Sequence, residues 1–230
     1  MPNILHLFSV NFVLITILNY PLSLVELLGT AFGLWSVILA AREKISNYPV
    51  GLINILFFFI LFYQVQLYPD MFLQIYFFII SFYGWWKWLH PEENEAKSKN
   101  ELKITAYSLK TNLIIVLVIL AGVGVFGTLM KNLNILLPAF FKYPAAFPYY
   151  DSFVAVASVV AEFLLAKKKL ENWAIWVAVD LFCVVLYFIR GIKLMSIEYF
   201  IFLVIAIFGL LRWNREYKAG IAKSVSDKVG

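Results

Sequence analysis

The chain has 230 residues, 63% of them hydrophobic and 14% charged, with a mean hydropathy of +0.83; this balance excludes a soluble domain and describes a membrane protein. Its net charge of +5 sits in short clusters between apolar runs, which excludes a nucleic-acid binder and leaves a topology signal. One cysteine (Cys183) and two histidines (His6 and His90) exclude an internal disulfide and give no Cys- or His-built metal site, and no cofactor is expected.

In chain order, residues 1–21 form an N-terminal interfacial segment. Its apolar run, 4–18, has no preceding Lys or Arg and no small-residue cleavage site, so it is expected as an interfacial helix or short extra span and not as a removed signal. Seven segments then have the roughly 20 apolar residues that cross a bilayer: 22–41, 49–66, 69–89, 111–130, 151–166, 173–189 and 194–213. Their unbroken apolar character, without alternation, excludes a β-barrel.

Laying the cations over an odd number of crossings puts only Lys131, Lys142, Arg190 and Lys193 on one side. The other Lys and Arg residues face the opposite side, which the positive-inside rule makes cytoplasmic. The C-terminus, with a tail over 215–230, is therefore expected in the cytoplasm. Residues 90–110 become a cytoplasmic linker, and 131–150 an external loop.

Residues 26–88 align with 151–213 at a constant offset of 125 and without a gap. Asn47/Asn172, Gly84/Gly209, Trp88/Trp213, Lys44/Lys169 and the acidic pair Glu26/Asp151 coincide, which marks a duplication. The expected fold is an all-α integral membrane protein, with seven transmembrane helices as two parallel three-helix repeats (22–89 and 151–214) joined by a connector helix at 111–130. An odd connector returns the chain to its starting side, so both repeats run in one sense. That arrangement is used by transporters that bind solute between repeats. A membrane enzyme would need a nucleophile, base or metal cluster inside the core, and neither histidine lies in a span.

Asp180 lies seven residues, about 10 Å, along its helix from Trp173, where an unpaired charge costs at least ~2.5 kcal/mol. Helical spacing puts it on one face with Trp173, Trp176 and Tyr187. On the third span Gln74, Phe77, Ser81, Trp85 and Trp88 share a face, the second span carries Asn54 and Gln64, and the last carries Glu198. Aromatic rings, amides and carboxylates suit a flat, partly cationic, hydrogen-bonding solute. Each residue also has a plainer reading. Trp85, Trp88, Trp173 and Trp213 fit an interfacial belt, Asn54, Gln64, Gln74 and Ser81 fit interhelical glue, and Glu198 could pair with Arg190 or Lys193. Glu162 reads as a flank of the Lys167 to Lys169 cluster.

The stretches "EKISNYPVGLIN", "QVQLY", "LQIYFF" and "YGWWKW" in the first half, with "ENWAIWVAVD" and "SIEY" in the second, resemble the PnuC family of bacterial vitamin transporters. The most specific element is Trp-x-x-Trp-x-x-x-(Asn/Asp), carried by Trp173, Trp176 and Asp180. The resemblance implies a homotrimer in the bacterial inner membrane that takes up nicotinamide riboside by facilitated diffusion, with thiamine as the alternative. It also implies trapping of the vitamin by a cytosolic riboside kinase. Riboside-specific members often carry Asn at the position of Asp180 and an amide at that of Ser81. Both candidate vitamins carry a ring cation, which Asp180 would offset.

Overall fold

The computed structural model describes residues 4–65, 68–92, 96–98, 101–137 and 147–229. It opens with a single helical turn, α1 (Ile4–Leu7), and a hairpin of β1 (Val13–Ile17) and β2 (Tyr20–Ser23). The helix or extra span expected over 4–18 is thereby corrected. A short apolar run does not by itself separate strand from helix, and here β-branched Val13, Ile15, Thr16 and Ile17 favour the strand. Leu18 and Asn19 both take positive φ, 50° and 64°, the two-residue turn whose twist matches a hairpin.

Seven long helices follow: α2 (Leu24–Ala41), α3 (Asn47–Gln64), α4 (Tyr68–Leu89), α5 (Leu109–Lys131), α7 (Pro148–Ala166), α8 (Glu171–Ile189) and α9 (Lys193–Val229), with the single turn α6 (Leu133–Leu136) after α5. Ser23 caps α2 by accepting from the Glu26 amide at 3.3 Å, with Glu26 at the third helical position as in a capping box. Ser108 caps α5 in the same way through Thr111, and Pro148 occupies the start of α7, where its missing N–H costs nothing.

Six of these helices are long and apolar enough to cross a membrane, so the chain is a multi-pass membrane protein. The exception is α4, which is 22 residues long but diluted by Asp70, Gln74, Lys87 and three tryptophans. The last helix runs on well beyond residue 213, through the segment expected as a tail. Of the external loop expected over 131–150, residues 138–146 lie outside the described residues. The linker is a packed element: β3 (Ala96–Ser98) and β4 (Glu101–Leu102) pair, and Leu102 and Ile104 are buried.

Around the molecule, α2 packs on α3, α3 on α4, α4 on α7, α7 on α8, α8 on α9, and α9 back on α2, while α5 lies outside against α7. The six helices close a ring. The 125-residue offset maps α2 onto α7 and α3 onto α8 nearly end for end, and α4 onto the first 22 residues of α9, so the two seams, α4/α7 and α9/α2, are equivalent.

The offset also holds for local detail. Asn47 donates its amide to Lys44 O and Asn172 to Lys169 O. Tyr48 packs edge-on to Trp88, centroids 5.3 Å apart, and Trp173 to Trp213 at 5.6 Å. Equivalent residues also touch each other: Trp88 and Trp213 lie 6.1 Å apart, and Lys168 pairs with Glu43 at 3.0 Å. Inverted repeats would carry such helix-end positions to opposite membrane faces, so these contacts require both repeats to run in the same sense.

Candidate functional site

Helix α8 shows how the sequence sorts its faces. Ala174, Ala178, Leu181, Val185 and Phe188 are exposed and recur every three or four residues, giving a lipid-facing stripe. Trp173, Trp176, Asp180, Cys183 and Tyr187 form the opposite stripe. Asp180 is only 4% exposed, so its carboxylate is turned from lipid to the interior of the fold. Among the described residues no hydrogen bond or ion pair engages it.

Around Asp180 the stripe passes from one packed cluster to another. Toward the linker end, Trp173 joins Tyr48, Trp88, Trp213, Leu102 and Ile104. In the other direction Cys183 and Val179 join Ile119 and Ala157, with Tyr187 and Tyr199 packed against them. Trp176 contacts both clusters. Tyr187 stacks on Tyr199 at 5.4 Å with planes 13° apart, tying α8 to α9.

On α4 the interior stripe is Gln74, Ser81, Gly84 and Trp88, all buried, while Phe72, Ile75, Ile79, Phe82 and Trp86 are exposed. Gln74 and Ser81 are 9% and 5% exposed, with no hydrogen-bond partner among the described residues. Trp85 is half-buried against the linker-end cluster. Unlike belt residues, Trp88, Trp173 and Trp213 are 4%, 1% and 0% exposed. They meet on the pseudo-twofold axis, which the hydropathy pattern could not indicate.

The remaining candidates are held in the scaffold. Asn54 donates to Gly29 O at 2.8 Å, fastening α3 to α2. Gln64 donates to Phe8 O at 2.7 Å and accepts from the Val10 amide at 2.9 Å, tying the N-terminal segment to the end of α3. The hollow beside Gln64 is lined by Phe8, Ser9 and Ile60, away from the Asp180 stripe. Glu198 accepts from Thr30 Oγ1 at 3.1 Å across the α2/α9 seam, in place of the pairing considered with Arg190 or Lys193. Arg190 instead lies over the Phe147 ring at 3.8 Å. Near that seam Tyr20 donates to Glu26 at 2.7 Å, and burial together with that carboxylate holds the phenol well above its ordinary pKa.

The Glu43–Lys168 pair escaped the sequence reading, although the 125-residue offset superimposes the two positions. Lys168, with its side chain 1% exposed, also donates to Leu102 O at 2.8 Å and lies 4.9 Å from the Trp88 ring centre.

A ring of helices built from two repeats, with buried polar side chains on the interior faces of α4 and α8, is an architecture that membrane transporters use. Residues 23–215 match the family described as nicotinamide mononucleotide transporter, and the chain belongs to that family, which includes the PnuC proteins. It is 38% identical over 213 residues to the nicotinamide riboside transporter PnuC of Escherichia coli, covering 85% of this chain and 87% of that one. The PnuC of Neisseria mucosa is 25% identical, over 81% of this chain and 70% of that one. The riboflavin/roseoflavin transporter RibM of Streptomyces davaonensis is 24% identical, over 82% and 83%. A crystal structure of the vitamin B3 transporter PnuC shares the fold, with a TM-score of 0.62 at 23% identity over 84% of this chain and 81% of that one.

Proposed function

We propose that this protein carries nicotinamide riboside across the bacterial cytoplasmic membrane by facilitated diffusion. The observation that carries this reading is Asp180: a buried carboxylate without an ion pair among the described residues, on the interior face of a chain 38% identical to a riboside transporter. A lone intramembrane acid is costly unless a cavity or a partner meets it, and the ring cation of the riboside is such a partner. In this reading Trp176, one turn away, walls or stacks on the nicotinamide ring. Gln74 and Ser81 supply hydrogen bonds to the carboxamide and ribose. Trp173, Trp85 and Tyr187 shape the aromatic wall, while Asn54, Gln64 and Glu198 hold the helices that frame it.

The same reading makes α4 the seventh span, because it closes the ring between α3 and α7 and, at ~1.5 Å per residue, is long enough to cross. It gives a 3+1+3 layout with α5 as connector and the C-terminus in the cytoplasm. It also places a kinase downstream to trap the vitamin, and assembles the chain as a trimer with one route per protomer.

The test is binding by purified protein of nicotinamide riboside, thiamine, riboflavin and an uncharged nucleoside, followed by counterflow of labelled riboside in proteoliposomes. Riboside should bind tightest and exchange without ATP or an ion gradient. Preference for thiamine or riboflavin would overturn the substrate, and absent counterflow the transport mode.

A further inference from the structure

At the linker end, the ring is shut by contacts between helices that stand opposite one another. Glu43 follows the cap of α2 and Lys168 the cap of α7, and both take left-handed φ, 57° and 51°. The Glu43 amide donates to Ala40 O and the Lys44 amide to Leu39 O; the Lys168 amide donates to Leu165 O and the Lys169 amide to Leu164 O. These are matching Schellman turns, whose left-handed position glycine fills without strain. The chain has Glu and Lys there, so the side chains serve a purpose that the turn alone does not explain.

That purpose is the 3.0 Å ion pair across the axis. The linker is laced onto it: Lys168 Nζ donates to Leu102 O, the Thr105 amide to Lys168 O at 3.2 Å, and the Leu170 amide to Thr105 O at 2.9 Å. Beneath it the Trp88 indole donates to Leu165 O at 3.3 Å, from the first half to the second. The equivalent Trp213 indole N–H is buried with no partner among the described residues. Of these two equivalent indoles, Trp88 alone bonds across the halves.

Buried ion pairs are a poor source of stability, since apolar residues of equal volume do as well. They suit a contact that must part, because each ion regains its hydration when water enters. We infer that Glu43 and Lys168, laced to linker residues 101–105, are the gate of the transport route at the linker end. The gate is closed in this structure and opens when the pair separates and the halves tilt apart. This rests on the chain being a transporter, not on which vitamin it carries.

The test introduces Ala206→Cys into a Cys183→Ala background. Ala206 is 1% exposed and lies seven residues, about 10 Å, deeper along α9 than Trp213. A membrane-impermeant maleimide is applied from the linker side of oriented vesicles. With the pair intact, labelling should be slow. Glu43→Gln or Lys168→Gln should speed it at least tenfold, and the exchanged cation Lys168→Arg, which can still pair with Glu43 and donate to Leu102 O, should keep labelling slow. Riboside affinity, measured in parallel, should change less than threefold while the exchange rate changes in the two Gln variants. Equal labelling rates in the parent, Gln and Arg forms, all eluting as folded protein, would overturn the gate. Failure to bind riboside would bear on the proposed substrate alone, because labelling needs no ligand.

Discussion

Trp173 rests on Gly209: a β-carbon there would lie 2.7–2.8 Å from three atoms of the indole, and the first half repeats the contact with Tyr48 on Gly84 at 2.5–2.7 Å. Backbone approach on this scale leaves no room for a methyl group. Gly84→Ala and Gly209→Ala should each destabilise the protein by about 1–3 kcal/mol, read as a lowered Tm in detergent. Gly124→Ala, where nothing lies within 4 Å, should not lower it.

Two neighbouring tryptophans should separate in their effects. Trp173 is enclosed and Trp176 only half-buried. Trp173→Ala should cost ~3–5 kcal/mol of stability through the cavity it leaves. Trp176→Ala should keep most of the Tm and lose at least tenfold in riboside affinity. Titration calorimetry and thermal unfolding of both variants check this, and the reverse pattern would move the site away from Trp176.

Removing the charge at Asp180 should trade binding for stability. An unpaired buried carboxylate is a net cost to the empty protein. Asp180→Asn should therefore unfold no earlier than the parent, while its riboside affinity falls at least tenfold, about 1.4 kcal/mol. An uncharged nicotinamide analogue should lose much less. Equal losses for both ligands would show that the carboxylate does not serve the ring cation.

Gln64 should behave as a fastener. It makes two hydrogen bonds to the backbone of the N-terminal segment, each worth ~1 kcal/mol. Gln64→Ala should raise amide exchange across residues 8–23 and leave riboside affinity within threefold. A large loss of affinity with unchanged exchange would return Gln64 to the binding site.

What the sequence made legible follows from periodicity and duplication. The stripes through Gln74, Ser81 and Trp88 and through Trp173, Trp176 and Asp180 are interior faces, because lipid demands apolar residues everywhere else on those helices. The offset of 125 survives down to paired amide bonds. Partnerships across elements were not legible. The strand at 13–17 reads as any apolar run, Glu198 meets Thr30 on a helix 168 residues away in sequence, and nothing in the pattern around Gln64 announces its two hydrogen bonds to the N-terminal segment. The buried tryptophans at helix ends mimic an interfacial belt, because their burial comes from symmetry mates that hydropathy does not contain.

The Glu43–Lys168 contact also bears on how such a chain could arise. A three-helix ancestor pairing with an identical copy would set like against like on the axis, two acids or two amines about 3 Å apart. Opposite charges at that spot, and an acid at 180 where the first half has Ile55, are open only to halves fused on one polypeptide. Covalent fusion thus let each half mutate separately, and the asymmetry of this pair and of position 180 became heritable.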